Sequence, residues 1–132
     1  MPTPFKPDGY PSASPYFVPR DADAMITFLE TVFGGQQTRR FNHDNGQPKH
    51  VEVQFDDVVI MIGRPASDDF EQVSNMVHVY VPDAAAVYER ALAHGAVSIH
   101  PPEQKDDPDL RGGFADAWGN SWFVATQQQS RD

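Results

Sequence analysis

Two rhythms of apolar and polar positions follow one another along this chain, and they do so twice in the same order. In the first half, residues 15–19 predict a short strand. The segment DADAMITFLETVFGG then places Met25, Phe28, Leu29, Val32 and Phe33 at three- and four-residue spacing, one face of a helix. Asp21 or Asp23 can cap its amino end, where free backbone N–H groups need an acceptor, and Gly34-Gly35 ends it. Three strands are predicted next, over 37–41, 50–55 (HVEVQF) and 58–62 (VVIMI). Asn45-Gly46 marks a hairpin between the first two, and Asp56-Asp57 makes a tight turn before the third.

The second half repeats the order. Residues 76–81 alternate as a strand, Asp83 caps a helix carrying Val87, Ala91 and Leu92, and Gly95 stops it. A strand over 97–100 leads into PPEQKDDPDLRGG (101–113), which reads as a polar loop closed by Arg111-Gly112-Gly113, a solvated flap over a cavity mouth. Strands over 114–116 and 121–125 flank the turn at Trp118-Gly119-Asn120. The distance from capping aspartate to terminating glycine is 13 residues in the first half (Asp21 to Gly34) and 12 in the second (Asp83 to Gly95). The pattern predicts an α+β fold of two tandem βαβββ modules, about 15–64 and 74–126, forming one domain. One module alone would leave a sheet face bare. Two can curl their mixed sheets around a shared cavity with helices outside. Residues 1–14 carry four prolines and read as an extended arm, and 127–132 as a frayed polar tail.

Composition narrows the partners. With 39% hydrophobic and 22% charged residues the chain is globular and not disordered. A formal charge of −9 repels phosphate backbones, and the only adjacent basic pair is Arg39-Arg40, so nucleic acid is not an expected partner. The chain has no cysteine, which removes disulfides and thiolate metal sites and fits a reducing cytoplasm. The opening residues hold no apolar run of the secretory kind, and no stretch approaches the roughly 20 apolar residues of a membrane span. The expected location is cytoplasmic, with no membrane partner.

The pieces PYFVPRDADAMITFLETVFGG, HVEVQFDDVVIMIGR, HVYVPDAAAVYERALAHGA and RGGFADAWGNSWFVAT, in that order, resemble the vicinal oxygen chelate superfamily. That group includes glyoxalase I, extradiol dioxygenases, and the bleomycin and fosfomycin resistance proteins. Within it the chain is most similar to the small PhnB-like branch of glyoxalase/bleomycin-resistance proteins. The resemblance implies paired βαβββ modules around a cavity, in which the enzymes hold a divalent metal with His, Gln or Glu from the first and fourth strands of each module. It places those ligand positions at Ser14, Met76 and Phe123, and the fourth position within VVIMI, which has no carboxylate or imidazole. A hydroxyl, a thioether and a phenyl ring suit such ions poorly. No metal or other cofactor is therefore expected, a divalent metal belonging only to the alternative reading. The resemblance further implies a homodimer, with the arm reaching onto the partner subunit.

The remaining candidate chemistry lies on strands. His78 shares a face with Met76 and Tyr80, Tyr16 shares one with Ser14, and His50, Glu52 and Gln54 alternate along a single strand. A His-x-Glu-x-Gln face fits a wet cavity and a solvated surface equally well, because charge is costly only in a dry core. His78 and Glu52 are the candidates for acid-base work. Trp118 reads as a cavity-rim aromatic and Trp122 as core or aromatic wall, while Tyr80, Phe41 and Phe55 could add apolar surface. Arg40 could meet a ligand anion, although the ordinary reading is a surface arginine. The expected function is a metal-free binder of a small, partly aromatic or cationic molecule. The alternative is an enzyme of the resembled kind, a lyase, isomerase or dioxygenase using a divalent metal or His78 with Glu52. A third reading is a role within a protein complex.

Overall fold

The computed structural model describes residues 3–130; the first two residues of the arm and the last two of the tail lie outside them. The elements run β1 (Tyr16–Phe17), α1 (Ala22–Phe33), β2 (Gln36–Asn42), β3 (Pro48–Phe55), β4 (Val58–Gly63), β5 (Met76–Tyr80), α2 (Ala84–Ala93), β6 (Val97–Glu103), β7 (Asp109–Ala115) and β8 (Ser121–Gln127). Both helices start on an aspartate. Asp21 accepts from the Ala24 N–H at 3.0 Å and Asp83 from the Ala86 N–H at 3.0 Å. Each bond satisfies a backbone donor that the first helical turn leaves open. Asp21 is therefore the first cap, and Asp23 sits inside the helix.

The strands form two four-stranded sheets of matching order, β1-β4-β3-β2 and β5-β8-β7-β6. The first strand of each module runs parallel to the fourth, and the other pairs are antiparallel. The duplicated βαβββ pattern read from the sequence is thus present strand for strand. The two sheets are open and not closed into a barrel. One face of each sheet packs on the helices and the other stays open.

The two modules share a core. Phe17 of β1 stacks on Trp122 of β8 at 5.4 Å between ring centroids, and Phe33 of α1 lies 5.0 Å from the same indole. Met25, Leu29, Val32, Val51, Val53, Ile60 and Ile62 are fully buried, as are Phe114, Trp122 and Val124 from the second module. Each such side chain contributes about 1.5–3 kcal/mol through removal from water. Arg90 of α2 donates from Nε and Nη2 to the Val32 carbonyl at 3.2 and 3.1 Å, satisfying an acceptor in the last turn of α1. The connection between modules is pinned as well, with the Arg20 and Arg64 guanidinium groups each 5.4 Å from the Phe70 ring.

The expected polar flap over 101–113 is largely sheet. β6 continues to Glu103 and β7 begins at Asp109, leaving a loop of 104–108. Pro101 and Pro102 concealed the strand, yet β6 is an edge, where a missing N–H is tolerated. Register shifts on either side of His100 absorb them. Gly113 is required by close packing: a Cβ there would meet the Phe123 ring at 2.9 Å. β8 includes Gln127, and the N–H groups of Gln128 and Gln129 donate to the Pro108 carbonyl at 2.7 and 3.2 Å.

Candidate functional site

Strand alternation sends every second side chain to the open face of each sheet. On sheet one these include Tyr16, His50, Glu52, Gln54 and Met61, with Tyr16, Met61, Glu52 and Arg39 in one row across the strands. On sheet two they include Met76, His78, Tyr80, Phe123 and Arg111, while Val77 and Val79 turn to the core.

The sheet-one cluster centres on Glu52, which is only 5% exposed. Its Oε2 lies 2.8 Å from His50 Nε2, and its Oε1 accepts the phenolic O–H of Tyr10 from the arm. His50 Nδ1 is 3.5 Å from the Tyr16 hydroxyl. Burial pushes the Glu52 carboxyl up, but the hydrogen bonds from Tyr10 and His50 and the nearby positive charge of His50 and Arg39 outweigh it. The net position is below the ordinary carboxylate value. The Tyr10 phenol moves the other way: its bond to Glu52, and burial after it, hold its proton more tightly than usual. Residues 5–12 of the arm lie over this face, and with Arg39, Glu52 and Met61 they bound a recess of about 400 Å³.

The sheet-two cluster centres on Arg111. Its Nε donates to Asp107 at 3.0 Å, its Nη2 to Asp109 at 2.7 Å, and its Nη1 lies 2.5 Å from His78 Nε2. A guanidinium only donates, so that imidazole nitrogen accepts. Tyr80 donates to the fully buried Asp109 at 2.7 Å. The bond to Asp107 leads the effects that raise the Arg111 pKa above its ordinary value, against a smaller opposing effect of burial. Arg111 also lines a recess of about 340 Å³ with His100, Glu103, Lys105 and Asp107. A third recess, about 350 Å³, lies where the sheets approach each other, between Val58 and Ile60 of β4 and Val77 to Tyr80 of β5.

The sequence-predicted residues therefore divide. Tyr16, His50 and Glu52 come together, and His78 and Tyr80 come together, on two different sheets. His78 does not meet Glu52; its partner in this fold is Arg111. Gln54 shares the Glu52 face but sits further along, opposite Gln36 and outside the cluster. Arg40 turns to the helix side, where it pairs with Asp23 at 2.8 Å. A bulge between Gln37 and Arg39 reverses the strand parity and brings Arg39 to the open face instead. Trp122 is fully buried and donates from Nε1 to Asp116 at 2.9 Å, so it is a core residue and not a cavity wall. Trp118 packs edge-on against Phe28 at 5.7 Å and joins the same core. Phe55 stacks on Phe33 at 4.9 Å, whereas Phe41 is about half exposed, with the Arg39 guanidinium 5.0 Å from its ring.

Sequence reasoning missed Arg39, Tyr10, Asp109 and Arg111 as cluster members. The last two were hidden in the supposed loop, and nothing periodic in the arm marked Tyr10. Among the described residues no three His, Asp or Glu side chains gather as a metal site would require. Met76, 74% exposed, and Phe123, opposite His78, offer a thioether and a phenyl ring, which do not fit a zinc, nickel, manganese or iron centre. Among the described residues no helix is long and apolar enough to cross a membrane.

Comparison with known proteins follows the fold. The model of the Glyoxalase/Bleomycin resistance protein/Dioxygenase superfamily matches residues 16–124. An uncharacterised protein of Mycobacterium bovis is 25% identical over 86% of this chain and 82% of its own length. The crystal structure of TioX from Micromonospora sp. ML1 superposes with a TM-score of 0.72 at 20% identity, covering 88% of this chain and 99% of that one. The fosfomycin resistance protein FosX from Mesorhizobium loti gives a TM-score of 0.64 at 19% identity, covering 88% and 91%. A glyoxalase/bleomycin resistance protein/dioxygenase from Nocardioides gives 0.63 at 19%, covering 98% and 89%.

Proposed function

Since this chain belongs to the Glyoxalase/Bleomycin resistance protein/Dioxygenase superfamily, we propose that it is a metal-free binder of a small, partly aromatic or cationic organic molecule. The observation that carries this reading is the chemistry of the two open faces. Each holds a hydrogen-bonded polar cluster, Glu52 with His50 and Arg111 with Asp109, beside partly exposed aromatics such as Tyr16 and Tyr80. Aromatic surface around a few fixed polar groups is what a small-molecule site requires. The formal charge of −9 favours a cationic ligand. A face open in one chain becomes a cavity when a second copy covers it, so the working unit is a homodimer in the cytoplasm, akin to the PhnB-like branch. Bleomycin-type drug sequestration is the role that fits, in keeping with a fosfomycin resistance protein among the similar folds.

A thermal-shift panel of cationic and aromatic drugs, bleomycins included, tests the reading together with sedimentation. A ligand that prefers the folded state must raise Tm. A dimer at micromolar concentration stabilised by at least one aromatic or cationic compound is the expected result. A monomer that no panel member stabilises would overturn it.

The His50–Glu52 pair supports a second reading, an enzyme of the lyase, isomerase or dioxygenase kind. An imidazole 2.8 Å from a buried carboxylate is an oriented acid-base pair. Stoichiometric zinc, nickel, manganese or iron in protein purified without chelator, lost in His50→Ala, would favour this reading over the first.

A further inference from the structure

The arm lies on the same face as the Glu52 cluster, and its hold there is slight. Tyr10 is the arm residue that bonds to the side chains of sheet one, donating to Glu52 with Arg39 close by. The other arm bonds are internal: Lys6 Nζ to Ser12 Oγ at 2.9 Å and the Tyr10 N–H to the Pro7 carbonyl at 3.4 Å. Phe5 is 91% exposed and anchors nothing. The contact thus rests on one phenol, held by a buried carboxylate and the neighbouring Arg39 and Met61, in a recess of about 400 Å³. A buried carboxylate needs donors, and leaving it short of one is costly. Whatever displaces Tyr10 must bring a hydroxyl to the same oxygen and a flat apolar body to the place its ring leaves beside Met61 and Arg39.

We propose that the Glu52 centre is a recognition site for hydroxyaromatic ligands and that Tyr10 is its built-in competitor. The inference rests on the reading that the open face of sheet one receives a small molecule, and it names that molecule's chemistry. The phenolic O–H of the ligand replaces the Tyr10 O–H on Glu52 Oε1, while His50 keeps its bond to Oε2. Because the arm is covalently tethered, it competes at high effective concentration, and ligand affinity in the intact chain is lowered accordingly. The proline-rich sequence keeps the released arm extended, so little conformational freedom is gained or lost on release.

The test uses p-cresol, with toluene as the same body lacking the hydroxyl, by calorimetric titration of the full-length chain. Tyr10→Ala should bind p-cresol about tenfold more tightly than the unaltered chain, or better, since one charge-assisted hydrogen bond no longer has to be displaced. Adding Glu52→Leu, which leaves no acceptor for the hydroxyl, should remove the preference for p-cresol over toluene. In the unaltered chain, p-cresol should shift the backbone amide resonances of Tyr10 and Glu52 together, a measurement that needs no variant to fold. An unchanged p-cresol affinity in folded Tyr10→Ala, an equal gain for toluene, or shifts at Glu52 without any in residues 5–12 would each overturn the proposal. If panel drugs stabilise the chain while Tyr10→Ala changes nothing for p-cresol, this inference falls and the binder reading stands.

Discussion

The two modules repeat one architecture on the core side and diverge on the open side. Both begin with an aspartate-capped helix, and both place their first strand beside their fourth. Yet β1 pairs over two residues and β5 over five. Sheet one carries a carboxylate–imidazole–phenol cluster covered by the arm, and sheet two an arginine held between aspartates and a histidine. The difference separates two kinds of constraint. Helix-side positions must fill a shared core at close-packed density, which keeps the modules alike. Open-face positions meet no such requirement and are free to take on separate chemistries.

The sharpest break in the symmetry is Trp122. Its ring belongs to module two but packs between Phe17 and Phe33 of module one. Trp122→Ala should cost about 3–5 kcal/mol, the range for emptying a large buried aromatic site. A urea titration should show a lowered midpoint with the two modules still unfolding in a single transition. Two separate transitions in the unaltered chain would show that the shared core does not couple them.

Next in size is Asp116. It accepts four hydrogen bonds of 2.9 Å, from the Trp118 and Asn120 N–H groups, the Asn120 side-chain amide and the Trp122 indole. Replacing it with Ala leaves several buried donors without an acceptor, at about 1–3 kcal/mol for each group left buried and unpaired. Asp116→Ala should therefore approach Trp122→Ala in cost without touching the apolar core. A loss below 1 kcal/mol in the urea midpoint analysis would mean that water replaces the carboxylate at this turn.

How much of this was legible beforehand follows the same division. The βαβββ order and the core face of α1 could be read because core-facing residues repeat at the helix and strand periods, and Asp83 could be read as a cap while the first cap stayed open between Asp21 and Asp23. The shared face of His50, Glu52 and Gln54 could be read from the strand period, whereas the approach of Tyr16 to His50 crosses between strands and has no period to mark it. Arg39 was passed over, and Arg40 named as the possible anion contact, because a bulge changes strand parity and leaves no mark in composition. Asp109 and Arg111 went unrecognised because prolines and glycines made β6 and β7 look like loop. Their tolerance there depends on an edge position and on the Phe123 ring, which are facts of tertiary packing. The meeting of Tyr10 with Glu52 spans 42 residues and follows no period at all.

The open faces should also differ in their response to pH. The folded Glu52 carboxyl sits below the ordinary 4.5, so its contribution to stability is complete above that value and is lost as pH falls through the lowered one. Tyr10 lies above the ordinary 10.0, so its contact is complete below pH 10 and fades as pH rises through the raised value. Thermal melts from pH 7 down to 3 should show an acid loss that is smaller in Glu52→Gln. The ring signals of Tyr10 should move at both ends, in acid as Glu52 takes up its proton and in alkali as the phenol loses its own. An acid profile identical in the variant would mean that Glu52 is not what distinguishes the first face.

The smallest effect lies at the turn that joins β3 to β4, the counterpart of the Asp116 turn. Here two residues, Asp56 and Asp57, connect Phe55 to its partner Val58. Asp56 has φ 47°, the one positive value on a residue other than glycine among the described residues. An L side chain in this region is strained, though aspartate tolerates it better than most. Glycine adopts it freely but makes the unfolded chain more flexible, which offsets part of the gain. Asp56→Gly should therefore stabilise the protein by about 0.5–1 kcal/mol at most, read as a rise in the urea midpoint. The same change at Asp116 should strongly destabilise, because that carboxylate holds four donors and relieves no backbone strain. Opposite signs at two equivalent turns would separate backbone geometry from side-chain bonding as the source of each turn's sequence. A loss of stability in Asp56→Gly would show that the Asp56 carboxylate also holds its turn, and the contrast between the modules would not extend there.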